Sequence, residues 1–236
     1  MSYDIKTVPE FIIKEGSSGP IDIVHDSNAF SLYNNGDRWM VFNKGNHAEI
    51  KEMYSSYDIA YGDVLVSGLG FGILALWLCN KPEVSSVTVI EFSEDVIKLF
   101  KESNDVPTKL NIINDNIITY ETDKGYDVIL LDHYERQNFD WRLKNMSDIC
   151  NRISHKEFWA WSLEQAYLLK MYNIDAKDIV NKNDESTVFN KVPDLSSFWD
   201  IFVDNFFPNE KQIKKISKSI INEYMYTYFN RDHLLP

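Results

Sequence analysis

The chain has 236 residues, enough to bury one sizeable core and a small accessory layer, so one domain with extensions is the expectation. Hydrophobic residues at 44% and charged residues at 25% are ordinary for a soluble globular protein. A formal net charge of −12 repels phosphate backbones at long range and argues against nucleic acid as a partner.

Residues 1–60 read as a β-hairpin and helix extension. Ile21–Val24 is an apolar strand, and Ser31–Tyr33 pairs with Arg38–Phe42 across Asn34-Asn35-Gly36-Asp37, whose Asn-Gly supplies hairpin turn chemistry. His47 to Tyr57 reads as a helix, with Ile50, Met53 and Tyr54 on one stripe.

From residue 61 to 165 strands and helices alternate. Val64–Val66 is a strand ending in a glycine turn, and Gly72–Leu78 is a helix apolar on all sides. Val87–Ile90 is a second strand ending in Glu91. Ser93 then caps a helix whose first turn carries Glu94 and Asp95. Leu110–Ile113 is a third strand, ending at Asn114-Asp115-Asn116, and Tyr126–Leu131 a fourth, ending at Asp132-His133-Tyr134-Glu135. A helix over Trp141–Ile153 and a strand over Glu157–Trp161 complete five repeats. Apolar strands separated by helices predict a parallel sheet covered on both faces. Residues 166–236 read as mainly helical, through Ser197–Phe207 and Lys211–Phe229. The lysines at 211, 214, 215 and 218 form a solvated helix face or a local basic patch.

Met1–Pro20 has no apolar stretch of the secretory kind. The longest apolar run, Val64–Cys79, falls short of the roughly 20 residues of a membrane span and holds three glycines. Cys79 and Cys150 lack metal or redox spacing and are expected as buried thiols in a reducing cytoplasm.

The residues that carry chemistry fall at strand ends. Gly68, Gly70 and Gly72 permit a tight strand-to-helix turn and a close approach of backbone to a ligand. Glu91 ends the next strand, where an acid accepts ribose hydroxyls. Asp115 and Asp132 end the third and fourth strands, on the same sheet edge. His133 is a candidate base, because imidazole titrates near neutrality, or a residue that merely bonds backbone. Tyr134 and Glu135 follow as groups that orient an acceptor. His47 and Glu49 reach the same cleft or lie on an exposed helix face. Trp159, Trp161, Tyr167, Phe198 and Trp199 line an aromatic acceptor pocket or fill the core. His25, His155 and His233 share no ligand spacing, and no metal is expected.

Over about residues 60 to 165 the sequence resembles the class I S-adenosylmethionine (SAM)-dependent methyltransferases. Val64-Leu65-Val66-Ser67-Gly68-Leu69-Gly70-Phe71-Gly72 matches the first motif of that family. The resemblance implies a Rossmann-like α/β fold with a mostly parallel sheet, here with a β-rich N-terminal extension and a helical C-terminal region. It implies SAM as cofactor, with its methionine portion on the glycine loop, its ribose on Glu91 and its adenine by Asp115 and Asn116. Asp132, His133 and Tyr134 would border the reacting centre, with His47, Glu49 and Glu135 on the acceptor. Within the class the chain is most similar to the spermidine-synthase-like branch, through Asn46-His47-Ala48-Glu49 ahead of the loop. A fainter likeness to guanidinoacetate methyltransferase runs through Asp132-His133-Tyr134.

Phe71 stands where spermidine synthases carry Asp, and His133-Tyr134-Glu135 replaces their Ser-Ser-Asp. Aminopropyl transfer from decarboxylated SAM therefore ranks below methyl transfer. The fourth strand lacks the Asp-Pro-Pro-Tyr sequence of DNA amino-methyltransferases. The loop also lacks the later glycine of nicotinamide-binding Gly-x-Gly-x-x-Gly. The expected protein is a cytoplasmic methyltransferase with a small-molecule acceptor and no nucleic-acid or membrane partner, either a monomer or a homodimer. A binding protein that keeps the fold without turnover is the other class.

Overall fold

The computed structural model describes residues 11–43, 48–133 and 139–161. These fall into two compact units, one holding residues up to 133 together with 148–160, the other holding 139–147 and 161. His47, Tyr134, Glu135, Tyr167, Phe198, Trp199, the 211–218 lysines and the expected C-terminal helices lie outside the described residues.

The chain opens with a four-stranded antiparallel sheet in sequence order, β1 (Gly16–Ser18), β2 (Ile21–Asp26), β3 (Ala29–Asn34) and β4 (Asp37–Asn43). Asn34 pairs with Asp37, so the β3–β4 loop is Asn35-Gly36 alone. Both have positive φ, 50° and 84°, the sense of a type I′ turn whose twist matches its strands. Strand β1, too short and polar to announce itself by pattern, is held by pairing with β2. The Ser18 hydroxyl also donates to Asp95 Oδ1 at 2.6 Å.

Helix α1 (Ala48–Ile59) leads into β5 (Gly62–Ser67), the centre of a five-stranded parallel sheet. Then come α2 (Ile73–Asn80), β6 (Val84–Glu91), α3 (Glu94–Ser103), β7 (Leu110–Asn114), β8 (Tyr126–Leu131), α4 (Phe139–Arg152) and β9 (His155–Ala160). The sheet order is β7-β6-β5-β8-β9, so the chain winds outward from β5 on one side and returns to β8 on the other. This is a Rossmann-like α/β fold, with its topological switch point between β5 and β8.

Buried aliphatic strands explain why this sheet is central. Val64, Leu65, Val66, Val87 and Val89 are buried, as is all of Val128–Leu131. Each such side chain contributes about 1.5–3 kcal/mol when fully removed from water. Ser93 caps α3 as its sequence predicts, its Oγ accepting from Val96 N at 3.3 Å. The β7–β8 connection is a turn over residues 117–119 rather than a helix. Arg152 of α4 closes it, donating from its guanidinium to Ile117 O at 2.7 Å and Tyr120 O at 3.1 Å. Cys79 is buried as expected, whereas Cys150 is only half-buried, because α4 turns that position partly outward.

The N-terminal sheet is fastened to α3 of the parallel core. Asn104, at the C-cap of α3, accepts from Ile12 N and donates to Ile12 O, both at 2.9 Å, as a paired strand would. Helix α1 is tied to α2 by Lys81, whose Nζ donates to Tyr57 O at 2.6 Å and Asp58 O at 2.8 Å. A cation at these terminal carbonyls satisfies them and complements the helix dipole. The Tyr57 ring stacks on Trp77, their centroids 4.1 Å apart.

Candidate functional site

Gly68, Gly70, Gly72, Glu91, Asp115, Asn116, Asp132 and His133 sit at the C-terminal edge of the parallel sheet. This follows from the parallel register, which places the ends of β5, β6, β7 and β8 side by side. Ligands bind at this edge in open α/β sheets, at the switch point.

Two of the loop glycines are required by packing. A Cβ on Gly68 would lie 2.6 Å from the backbone oxygen of Asp132, so a side chain would separate β5 from the chain leaving β8. A Cβ on Gly72 would lie 2.1 Å from Phe100 Cε2 of α3, and Gly72 has φ +79°. Gly70 differs, because the nearest atom to a Cβ there is the Met40 Sδ of β4, at 2.8 Å. The N-terminal sheet thus reaches over the loop at Gly70 through a flexible thioether.

Glu91 is buried at the end of β6, only 4% exposed. Its Oε2 accepts from Leu69 N and its Oε1 from Ser93 N, each at 2.8 Å. Burial raises its pKa above the ordinary value, against the opposing pull of the Ser93, Leu69 and Phe92 backbone N–H groups. Glu91 therefore braces the glycine loop and the start of α3, a duty that spacing alone does not reveal. Asn114 supports the same strand end, its Nδ2 donating to Glu91 O and Phe92 O at 3.0 Å each.

Asp115 and Asn116 are exposed at the end of β7. Asp115 N donates to Glu91 O at 3.1 Å, which holds the two strand ends together. Asp115 Oδ1 accepts from Asn116 N at 2.7 Å, and Asn116 Oδ1 accepts from Ile118 N at 3.0 Å. Both side chains thus shape the turn that follows.

Beyond β8, Asp132 and His133 are half-buried beside the loop. Asp132 N donates to Ser67 O at 3.1 Å and to Ser67 Oγ at 3.2 Å. Ser67 Oγ also pairs with His133 Nδ1. Gly68, Asp132 and His133, singled out separately by sequence, are brought into direct contact. Glu49 lies in the first turn of α1.

Phe92 and Trp39 were not anticipated. Phe92, next to Glu91, is 61% exposed, and Trp39 of β4 lies against it with ring centroids 5.5 Å apart. A lone exposed aromatic has no periodicity to mark it. By contrast Trp159 is buried in β9. A crevice behind the loop, lined by Ile23, Leu32, Gly70, Val96 and Leu99, has about 10 Å³, room for about one water. It is too small for a nucleoside. Among the described residues no cluster of three His, Cys, Asp or Glu is arranged to hold a metal, and no helix is long and apolar enough to cross a membrane.

No protein-family model and no curated protein matches the sequence. Among solved structures the chain is similar to the plantazolicin methyltransferase BpumL, at 21% identity over 46% of this chain and 43% of that one, with a TM-score of 0.35. It is similar to an S-adenosylmethionine-dependent methyltransferase from Clostridium acetobutylicum, at 14% identity over 45% and 44%, TM-score 0.32. It is also similar to a spermidine synthase, at 16% identity over 64% and 57%, TM-score 0.47. The matched region spans 43% to 57% of the length of these three structures.

Proposed function

We propose that the chain is a SAM-dependent methyltransferase acting on a small-molecule acceptor. The observation that carries this reading is the shared edge: glycine loop, buried acid, exposed acid and Asp132-His133 at four successive strand ends, across the switch point. The backbone at Gly70 meets no rigid wall, which suits a ligand laid along the loop. SAM bound there would supply a methyl group on a positively charged sulfur.

In this reading Glu91 serves loop and ribose together. The carboxylate accepts backbone N–H groups on both oxygens, and with about four lone-pair sites it keeps room for a hydroxyl. Asp115 and Asn116 flank the adenine, and Phe92 with Trp39 offers it an aromatic face. Asp132, His133 and Tyr134 border the transferring group, while His47, Glu49 and Glu135 meet the acceptor. The chain's part in the reaction is to bind and orient, because a well-aligned nucleophile gains most of its advantage from proximity. A net charge of −12 favours a small or cationic acceptor over a nucleic acid.

The antiparallel sheet reaching over the loop through Met40 favours one further reading, aminopropyl transfer from decarboxylated SAM. Incubation with methyl-labelled SAM and a metabolite mixture tests these readings. Methyl transfer yields S-adenosylhomocysteine and a labelled product. Methylthioadenosine formed from decarboxylated SAM instead supports aminopropyl transfer. Tight binding with neither product would refute the transferase and leave a binding protein.

A further inference from the structure

Ser67 is fully buried, at 0% exposure, at the last position of β5. Its hydroxyl has one proton to donate and lone pairs to accept with. The accepting side is used by Asp132 N–H, at 3.2 Å. The other partner of the oxygen is His133 Nδ1. If Nδ1 carried the imidazole hydrogen, Ser67 would accept twice and its own buried proton would be left over, at a cost of about 1–3 kcal/mol. If Nδ1 carries a lone pair, Ser67 accepts once and donates once, and both Ser67 Oγ and His133 Nδ1 are satisfied.

We infer that Ser67 is a positioning residue that holds His133 as the tautomer with its hydrogen on Nε2. The inference rests on the reading of this edge as the reacting site, and it changes what His133 does there. With Nδ1 engaged by the serine, the neutral ring presents a hydrogen-bond donor at Nε2 to any further partner. It accepts a proton at Nδ1 only if the Ser67 hydroxyl turns from donor to acceptor. His133 is then a donor that orients an oxygen or nitrogen lone pair, not the base that a strand-end histidine first brings to mind. The acceptor class that fits is one with a lone pair to spare beside the one His133 binds, such as a carboxylate.

Removing the hydroxyl leaves the fold's own bonds in place, because Asp132 N–H keeps Ser67 O as an acceptor at 3.1 Å. Ser67→Ala is therefore a clean variant, and Ser67→Thr restores a hydroxyl. Long-range ¹H–¹⁵N NMR correlations of the ligand-free full chain read the tautomer directly, with His133→Gln identifying the His133 signals. The expected result is a pyridine-like Nδ1 in the wild type, lost or exchanged with Nε2 in Ser67→Ala and recovered in Ser67→Thr. A wild-type ring with its hydrogen on Nδ1, or an unchanged pattern in Ser67→Ala, would overturn the inference. Because this readout needs no cofactor, it separates from the SAM reading, which fails instead if S-adenosylhomocysteine does not bind.

Discussion

Replacing Glu91 with Ala removes the acceptor for two backbone N–H groups at once, Leu69 N and Ser93 N, each at 2.8 Å. Hydrogen bonds to a charged acceptor contribute about 1.5–3 kcal/mol each, so the gross loss is about 3–6 kcal/mol. Part of it is offset, because the variant no longer buries a carboxylate, and that burial is the dominant influence on Glu91. A net destabilisation of about 2–4 kcal/mol remains near neutral pH. For a chain of this size that corresponds to a fall of about 4–16 °C in Tm. Urea unfolding followed by tryptophan fluorescence measures it. A loss under about 0.5 kcal/mol would refute the bracing role. The pH dependence carries a sign as well. Burial raises the native pKa, so the native state binds more protons than the unfolded chain above about pH 4.5. The contribution of Glu91 to stability is full below that value and declines as pH rises through the native pKa. Glu91→Gln, which cannot titrate, removes that decline. Loss of cofactor affinity in Glu91→Ala alone does not identify a ribose contact, since the loop is released too. Weaker binding of a ribose-deoxy analogue by the wild type does.

Gly72→Ala places a Cβ 2.1 Å from Phe100 Cε2 at a positive φ of 79°, so about 2 kcal/mol or more of stability is lost. Equal unfolding midpoints for variant and wild type would contradict that packing. Asp127 accepts from Lys156 Nζ at 2.6 Å and from Asp63 N at 2.8 Å, and these bonds, the Lys156 one first, lower its pKa below 3.8. Its stabilising contribution is therefore present above about pH 3.8 and lost as pH falls through the lower native value. Asp127→Asn removes this acid-side loss, seen in unfolding curves between about pH 2 and 5; an unaltered acid limb would refute it.

Much of the fold was legible because it follows from local chemistry. The Asn35-Gly36 turn, the Ser93 cap and the buried run Val128–Leu131 each declare their structure within a few residues. The alignment of Gly68, Glu91, Asp115 and Asp132 was legible too, because parallel strands bring their C-terminal ends to one edge. Contacts between distant positions were not. Glu91 meets Leu69 across 22 residues and Ser67 meets His133 across 66, and only the strand register makes them neighbours. Strand β1 escaped for the opposite reason. Three small residues carry no alternation, and the strand exists because β2 pairs with it.

The most direct measurement is a thermal-shift comparison of SAM, S-adenosylhomocysteine, decarboxylated SAM and NAD on the full chain. At about 100 times its dissociation constant a ligand adds about 2.7 kcal/mol of stability. With about 2–4 °C per kcal/mol, that is a rise of about 5–11 °C. The account predicts this rise for SAM and S-adenosylhomocysteine and none for NAD. No rise with any adenosyl compound, or a rise with NAD alone, would contradict it.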